Sequence, residues 1–308
     1  MTAVALIQHG LLLLVFPPLI PGTIAKVKAW FAGRKGPPLL QPYYDIVRLL
    51  RKGAVYSRTT TWVFRAGPCI GLASVLLAGL LVPLAGQGSP FGFPGDVLAF
   101  AYLLGLGRFF TMAAALDTGS SFEGMGASRE AAFSALAEPA LFLALAIVCV
   151  PAHSVSFRQA LGALPAPAWE TLHPAYLAAA IALFIVLLAE NSRVPVDDPN
   201  THLELTMVHE VMVLDHSGPD LAFILYGGAI KLLIMSSLLV HLCLPMQRLG
   251  AYSAFGVFFA AELAIAILVG VVESTMARLR LPRVPQFLIG ASVIAAIGVA
   301  AMFYRGSP

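Results

Sequence analysis

Long apolar stretches separated by polar loops run through the whole chain. A bilayer core needs about 20 consecutive apolar residues per helix, and eight stretches reach that length. The pattern therefore predicts an all-α polytopic membrane protein that forms a single membrane domain over residues 1–308. The predicted transmembrane helices span about 3–25, 66–86, 95–116, 131–151, 172–190, 221–245, 252–275 and 284–304.

The first apolar stretch is too long for a signal-peptide core and lacks a basic start, so we expect a retained helix. Pro17, Pro18 and Pro21 predict a kink in it, because proline removes a backbone hydrogen bond of the helix.

Two polar segments also carry helical patterns. Leu40, Tyr43, Val47 and Leu50 recur at helical spacing with polar residues opposite, which predicts an amphipathic interfacial helix. This helix is either a lipid-headgroup anchor or a docking surface for a soluble partner. In a later loop, the Asp198–Pro199 pair predicts the start of a short helix from about Asn200 to Leu214.

Composition supports the membrane assignment and excludes other classes. Hydrophobic residues make up 59% of the chain and charged residues 11%, against roughly 25% charged in soluble domains. The net charge is only +3 and the sequence has no basic run, so we expect no nucleic-acid partner. The separated Cys69, Cys149 and Cys243 form no metal-binding or disulfide pattern. His202 and His209 could share a helix face, but no third ligand is specified and no metal site is predicted.

The distribution of Lys and Arg predicts the orientation in the membrane. Alternate loops carry 14 of these residues on one side and 3 on the other, and Arg108 and Lys231 fall inside predicted helices. Positive residues concentrate on the cytoplasmic side, so we expect the long polar loops in the cytoplasm and both termini outside. The membrane would be the cytoplasmic (inner) membrane of a bacterium or archaeon.

Charged residues within the predicted spans are candidates for function. Each costs about 2.5–3.5 kcal/mol near the centre of a membrane helix, so each needs a partner or a water-filled path. Carboxyls buried without a cation exchange protons near neutral pH, which a proton relay requires. The alternative is that these groups form ion pairs that hold the bundle in register. The candidates within the spans are Arg108, Glu138, Glu190, Lys231, Glu262 and Glu273. Asp117, just after the third span, and Glu204, in the loop after the fifth, complete the candidates for a proton or ion path.

Three polar segments carry distinctive motifs. Residues 189–197, Ala-Glu-Asn-Ser-Arg-Val-Pro-Val-Asp, resemble the E-x-x-R-x-P-x-D signature of the subunit 1 family of complex I. Residues 126–129, Gly-Ala-Ser-Arg, with Glu138 nine positions later, are similar to its G-A-x-R segment and fourth-helix glutamate. Residues 34–37 and 40–42 resemble its R-R-G-P and L-Q-P motifs. We interpret all three segments as cytoplasmic loops.

Departures from that family indicate a branch. Complex I continues L-P-E-G-E-S-E-L after the position of Asp197, but here Glu204 alone remains of the three acids in that run. Residues 116–120 and 273–280 look like the membrane subunit of group 4 nickel–iron hydrogenases, of the formate hydrogenlyase and hydrogenase-4 type. That branch commonly passes electrons to protons, so the resemblance favours a hydrogenase complex over a quinone-reducing one.

The resemblance implies a membrane anchor and proton- or ion-coupling subunit without a redox centre of its own. Expected partners are the lipid bilayer, hydrogenase large and small subunit-like chains, an iron–sulfur subunit and antiporter-like membrane subunits. The iron–sulfur clusters and nickel–iron site would lie in those partner chains. Glu138 and Glu190 belong to the acidic route that the resemblance implies. The residues expected to dock the soluble arm are Arg34, Lys35, Arg129, Arg193, Asp197 and Arg278.

Two alternatives remain open. A quinone-site subunit of a respiratory NADH:quinone oxidoreductase would belong to a complex that reduces quinone and forms no hydrogen. A stand-alone ion transporter would move ions in liposomes by itself, and inverted repeats would be expected in its sequence. We find no such repeats.

Overall fold

The computed structural model describes residues 3–85, 88–164, 174–197, 207–244, 246 and 249–305, and no strand occurs within these ranges. The predicted all-α class is confirmed. The helices are α1 (Ala3–Leu14), α2 (Leu19–Phe31), α3 (Gln41–Leu50), α4 (Trp62–Leu81), α5 (Asp96–Asp117), α6 (Ser121–Cys149), α7 (Phe157–Gly162), α8 (Pro174–Glu190), α9 (Gly218–Cys243), α10 (Ala251–Thr275) and α11 (Val284–Arg305).

Most of these helices can cross a membrane. In the described ranges, six are long and apolar enough, namely α4, α5, α6, α9, α10 and α11. The pair α1 and α2 provides a seventh span if it is taken as one helix bent by 49°. Helix α8 is apolar but shorter, and residues 165–173 before it lie outside the description. The predicted number of about eight spans is therefore approximately right.

The first span is broken at Pro17 and Pro18, as predicted. These prolines cannot donate to the α-helical ladder, and the Leu19 amide bonds to the carbonyl of Phe16 instead. Helix α2 then continues to Phe31, six residues beyond the predicted end. Its last turns include lysines whose long side chains can place their charge outside the apolar layer.

Helix α6 begins ten residues earlier than predicted, so the interpretation of residues 126–129 as a loop is wrong. They lie in the first turns of α6, where Gly126 leaves room for a neighbouring segment. A Cβ there would come within 2.4 Å of Val211 Cγ1 and 2.9 Å of the Val208 carbonyl oxygen. The glycine thus lets the segment around Val211 lie directly against α6, which positions the site described below.

The helix predicted from about Asn200 to Leu214 is only partly described. Residues 198–206 lie outside the described residues, and the part that follows contains a 3₁₀ turn, Glu210–Val213. The Asp197 carboxylate accepts hydrogen bonds from the backbone amides of Val208 (3.3 Å) and His209 (3.1 Å). These bonds hold the amides in a local turn in which an α-helical ladder does not form.

The amphipathic helix of the first long loop is confirmed as α3. Leu40, Val47 and Leu50 are exposed, so the helix presents an apolar face away from the bundle. The Tyr43 hydroxyl donates to the carbonyl of Val15 at 2.6 Å, which fastens α3 to the break after α1. An exposed apolar face on a fastened helix fits an interfacial position.

Helices α4 and α5 approach each other closely through small residues. A Cβ at Gly67 would come within 2.9 Å of the Ala114 Cβ, and one at Gly107 within 2.5 Å of the Ser74 Oγ. Small residues allow such approach between membrane helices. The next residue after Gly107 is Arg108, whose side chain reaches α6 and α8.

Candidate functional site

The guanidinium of Arg108 lies inside the bundle and contacts carboxylates of two other helices. Its Nη2 donates to Glu190 Oε1 at 2.7 Å and its Nη1 to Glu138 Oε1 at 2.9 Å. Its Nε lies 3.6 Å from Glu130 Oε1. The side chain of Arg108 is 7% exposed and those of Glu130 and Glu190 are also buried, whereas that of Glu138 is 47% exposed. Arg108 therefore binds α5 to α6 and to the end of α8.

Glu190 extends the cluster to α9. Its Oε2 lies 2.6 Å from the Nζ of Lys231, so this carboxylate bridges the ammonium of Lys231 and the guanidinium of Arg108. Each charge thereby gains a counter-charge that offsets the cost of removing it from water.

His209 connects the cluster to the loop after α8. Its Nε2 lies 3.0 Å from Glu130 Oε2, and its Nδ1 lies 3.3 Å from Asp197 Oδ2. Arg278 donates to the other oxygen of Asp197 at 2.8 Å. We call the set Arg278, Asp197, His209, Glu130, Arg108, Glu138, Glu190 and Lys231 the ion-pair chain.

His209 carries a positive charge in this setting. Burial favours its neutral form, but the charge of Glu130 and the hydrogen bond to Asp197 outweigh burial and raise the pKa of His209 to about 10. Burial likewise favours neutral Asp197, yet its hydrogen bond to His209 holds the pKa of Asp197 below its ordinary value. With His209 protonated, the acids and bases of the ion-pair chain balance in charge.

A separate buried cluster surrounds Glu273 near the end of α10. Its Oε2 lies 2.9 Å from the Nζ of Lys28 on α2, and its Oε1 accepts from Arg193 at 3.4 Å. The side chain of Glu273 is fully buried. This cluster ties α2 and α10 to the loop after α8.

A cavity of about 570 Å³ adjoins the ion-pair chain. Arg108, Glu130, Glu190, His209 and Lys231 form a charged wall. Largely apolar residues of α4, α5 and α9 and parts of the segments 191–192 and 210–216 form the remainder. The volume lies in the range of small-molecule and cofactor pockets. The charged groups thus meet a space that can hold water or a ligand.

The other predicted path residues lie elsewhere. Asp117 accepts hydrogen bonds from the backbone amides of Thr61 (2.6 Å) and Phe64 (3.3 Å), so it caps the start of α4. Glu262 contacts Ser236 and is separate from the ion-pair chain. Glu204 lies outside the described residues.

The predicted docking residues divide into two groups. Arg34 and Lys35 are exposed on the loop after α2. Arg129 donates to the carbonyl of Met207 at 2.9 Å, while Arg193 contacts Glu273 and Arg278 contacts Asp197 within the chain. A docking role for the second group stays a prediction, and the contacts within the chain give these residues a structural role as well.

Glu130 and His209 are members of the ion-pair chain that the sequence analysis did not assign to it. The available signal was periodicity, since Glu123, Ala127, Glu130 and Ser134 recur at helical spacing on the buried face of α6. With a predicted start at residue 131, most of this pattern falls outside the predicted helix. For His209, the Gly126 contact that sets its position comes from the tertiary fold.

Together these features define a polytopic membrane protein with a charged network inside its helix bundle. The chain belongs to the NADH dehydrogenase family, whose model matches residues 3–304. It is 33% identical to Hydrogenase-4 component C of Escherichia coli (strain K12) over 281 residues, 88% of this chain and 87% of the relative. It is 32% identical to Formate hydrogenlyase subunit 4 of the same strain over 287 residues, 90% and 91% of the two chains.

More distant similarities agree with this placement. A subunit of the NADH-quinone oxidoreductase of Burkholderia vietnamiensis (strain G4 / LMG 22486) is 23% identical over 238 residues, 71% of this chain and 65% of the relative. A chain of the membrane-bound sulfane sulfur reductase, an archaeal respiratory membrane complex, shares the fold with a TM-score of 0.82 and 23% identity. That comparison covers 96% of this chain and 99% of the other. The resemblance inferred from the sequence motifs is confirmed.

The raised pKa of His209 predicts a pH dependence of stability. A pKa raised from 6.5 to about 10 gives a contribution that is complete below pH 6.5 and is lost as the pH rises through about 10. Thermal unfolding of the wild type and of His209→Gln should therefore differ at neutral pH, and the difference should shrink at about pH 10 and above. Other titrating groups occur in both proteins, so their contributions to the pH dependence cancel in the difference. A difference that stays constant across this range would show that His209 is not charged.

Proposed function

We propose that this chain is the membrane anchor and ion-coupling subunit of a hydrogenase or formate hydrogenlyase complex. Two relatives above 30% identity bear those names and match this chain over most of their length. The ion-pair chain, which runs from the loop after α8 into the membrane-spanning helices, is the observation that carries the coupling role.

Coupling requires that a change of protonation at one end of the ion-pair chain alters the ion-pair contacts at the other end. Two unit charges 4 Å apart interact by about 4 kcal/mol at an effective dielectric constant of 20, so a proton lost or gained at His209 changes the field at Glu130 substantially. Glu130 shares Arg108 with Glu138 and Glu190. A weaker contact to Glu130 would therefore strengthen the pull of Arg108 on the other two carboxylates.

Glu138 is half-exposed, so it is the residue through which the ion-pair chain would pass the change in charge to a neighbouring protein. A carboxylate exposed on a membrane-spanning helix is costly in contact with lipid, so a neighbouring membrane protein is expected to cover it. In the proposed complex that neighbour is antiporter-like and receives the change as a shift in its own protonation. Glu190 and Lys231 also belong to the ion pairs that would change partners during coupling.

The remaining assignments of the proposal follow from the complex. The long polar loops face the cytoplasm and both termini lie outside, in the cytoplasmic membrane of a bacterium or archaeon. Hydrogenase large and small subunit-like chains and an iron–sulfur chain would hold the iron–sulfur clusters and the nickel–iron site. The exposed Arg34 and Lys35 would help to bind this soluble arm.

A quinone-site subunit is the second candidate, favoured by the cavity. About 570 Å³ with apolar walls and one charged wall would suit an amphipathic ligand. Purified complex that reduces quinone and forms no hydrogen would favour this candidate. Hydrogen formation without quinone reduction would favour the first.

The coupling role predicts that Glu138→Gln separates ion movement from redox chemistry. Glutamine keeps the shape and removes the exchangeable proton and the charge. In inverted vesicles that hold the complete complex, we expect hydrogen formation to continue while the ions moved per hydrogen fall to a small fraction of the wild-type value. Glu123→Gln is a matched control on the same helix, because Glu123 accepts from the Asp215 amide apart from the ion-pair chain. Equal ion movement in wild type and Glu138→Gln would count against the coupling role.

The docking role predicts that Arg34→Glu combined with Lys35→Glu weakens attachment of the soluble arm. Like charges placed together at an interface cost several kcal/mol, and both side chains are exposed, so the membrane chain itself should fold. Salt washing of membranes followed by a count of the subunits retained measures the attachment. Arg158→Glu, an exposed arginine at the opposite end of the bundle, is the control. Retention of the arm by the double variant under conditions that also retain it in the wild type would refute this docking surface.

A further inference from the structure

Glu262 is a buried acid that the ion-pair chain does not include. It lies near the middle of α10 and its side chain has no exposed surface. Within the described residues, no lysine, arginine or histidine nitrogen lies within 4.0 Å of its carboxyl group, unlike Glu273 on the same helix, which has both Lys28 and Arg193. An ionised carboxylate without a counter-charge is strongly disfavoured in such a place.

The contacts of Ser236 indicate where a proton lies. Its Oγ is 2.8 Å from the carbonyl oxygen of Leu232 and 3.0 Å from that of Leu233, and it also forms a close hydrogen bond with Glu262 Oε2. A serine hydroxyl has one hydrogen to donate. If that hydrogen bonds to the Leu232 carbonyl, the hydrogen between Ser236 and Glu262 must belong to the carboxyl group. Glu262 then donates and Ser236 accepts.

His241 lies one turn beyond Ser237 on α9 and offers an acceptor. Its Nδ1 is 2.7 Å from the Ser237 carbonyl oxygen, so Nδ1 carries the hydrogen and Nε2 presents a lone pair. This Nε2 is buried and has no hydrogen-bond partner in the described part of the chain. The ring lies 5.8 Å from that of Phe258, which precedes Glu262 by about one turn of α10. His241 is therefore placed further along the same helix interface, toward the Cys243 end of α9.

We propose that Glu262 is a neutral carboxylic acid that, with His241 as the next acceptor, forms a second proton-exchange site apart from the ion-pair chain. The proton would leave the carboxyl oxygen of Glu262 and reach His241 Nε2 through a water molecule between them, because the two groups are more than 4.0 Å apart, giving a carboxylate and an imidazolium. Release of a proton from the imidazolium to water and uptake of a proton by Glu262 would restore the first state. This site goes beyond the proposed coupling role, and its proton can be observed whether or not the complex moves ions.

Infrared spectroscopy of the purified complex in lipid nanodiscs tests the proton on Glu262. A protonated carboxyl group has a carbonyl stretch distinct from that of a carboxylate, and this band shifts when deuterium replaces the proton. We expect Glu262→Gln to remove such a band and Glu273→Gln, the ion-paired control on α10, to leave it unchanged. Glutamine mimics the neutral acid, so Glu262→Gln should assemble normally. Identical carboxyl bands in wild type and Glu262→Gln would overturn the proposal.

Deuterium exchange tests the role of His241. His241→Phe keeps a ring against Phe258 and removes the acceptor nitrogen. We expect this variant to slow the shift of the Glu262 band in D₂O on the order of 100-fold, the scale of the loss of one proton-transfer group. Ser236→Ala should move the band by removing its hydrogen-bond partner while leaving the acid protonated. Exchange in His241→Phe at the wild-type rate, or a wild-type band that never shifts in D₂O, would contradict a proton-exchange site.

Discussion

The contact of the Arg108 guanidinium with the carboxylates of Glu130, Glu138 and Glu190 is the interaction on which the centre of this bundle depends. A charge inside a membrane-spanning helix costs about 2.5–3.5 kcal/mol on insertion scales. Removal of one partner from a buried pair costs about 3–5 kcal/mol, because it leaves the other charge uncompensated. The carboxylates on α6 and α8 must therefore stay in register with α5, which also fixes the cavity beside them.

The acids in the spans occupy two chemically different environments. Those of the ion-pair chain share cations, so their charge is compensated. Glu262 instead meets a serine hydroxyl and no cation in the described part of the chain, which suits an acid that stores a proton. The ion pairs that run from the loop after α8 to Arg108 and Lys231 and the separate buried acid on α10 are the two features on which the proposed coupling and proton-exchange roles rest.

Much of the fold can be predicted from the sequence, because span length, proline breaks and amphipathic spacing are local properties. Pro17 and Pro18 predict the break of the first span, and residues 40–50 predict α3. The site is harder to predict from the sequence, because the partners in its ion pairs are set by the packing of helices that are distant in the chain. The contact between Arg108 and Glu190 and the positive charge of His209 are examples, because both arise between residues that are distant in the sequence. Asp117 shows the same limit, since its hydrogen bonds to the start of α4 depend on the packing of α4 against α5, and its role in a path stays a prediction.

Ion movement by Glu130→Gln tests the central claim most directly, because Glu130 is the contact between His209 and Arg108. The measurement is the number of ions moved per hydrogen formed by the assembled complex in inverted vesicles. If the ion-pair chain carries the coupling, this ratio should fall sharply while hydrogen formation persists and the subunits remain assembled. A wild-type ratio in the assembled variant would contradict the account and leave these ion pairs with a structural role alone.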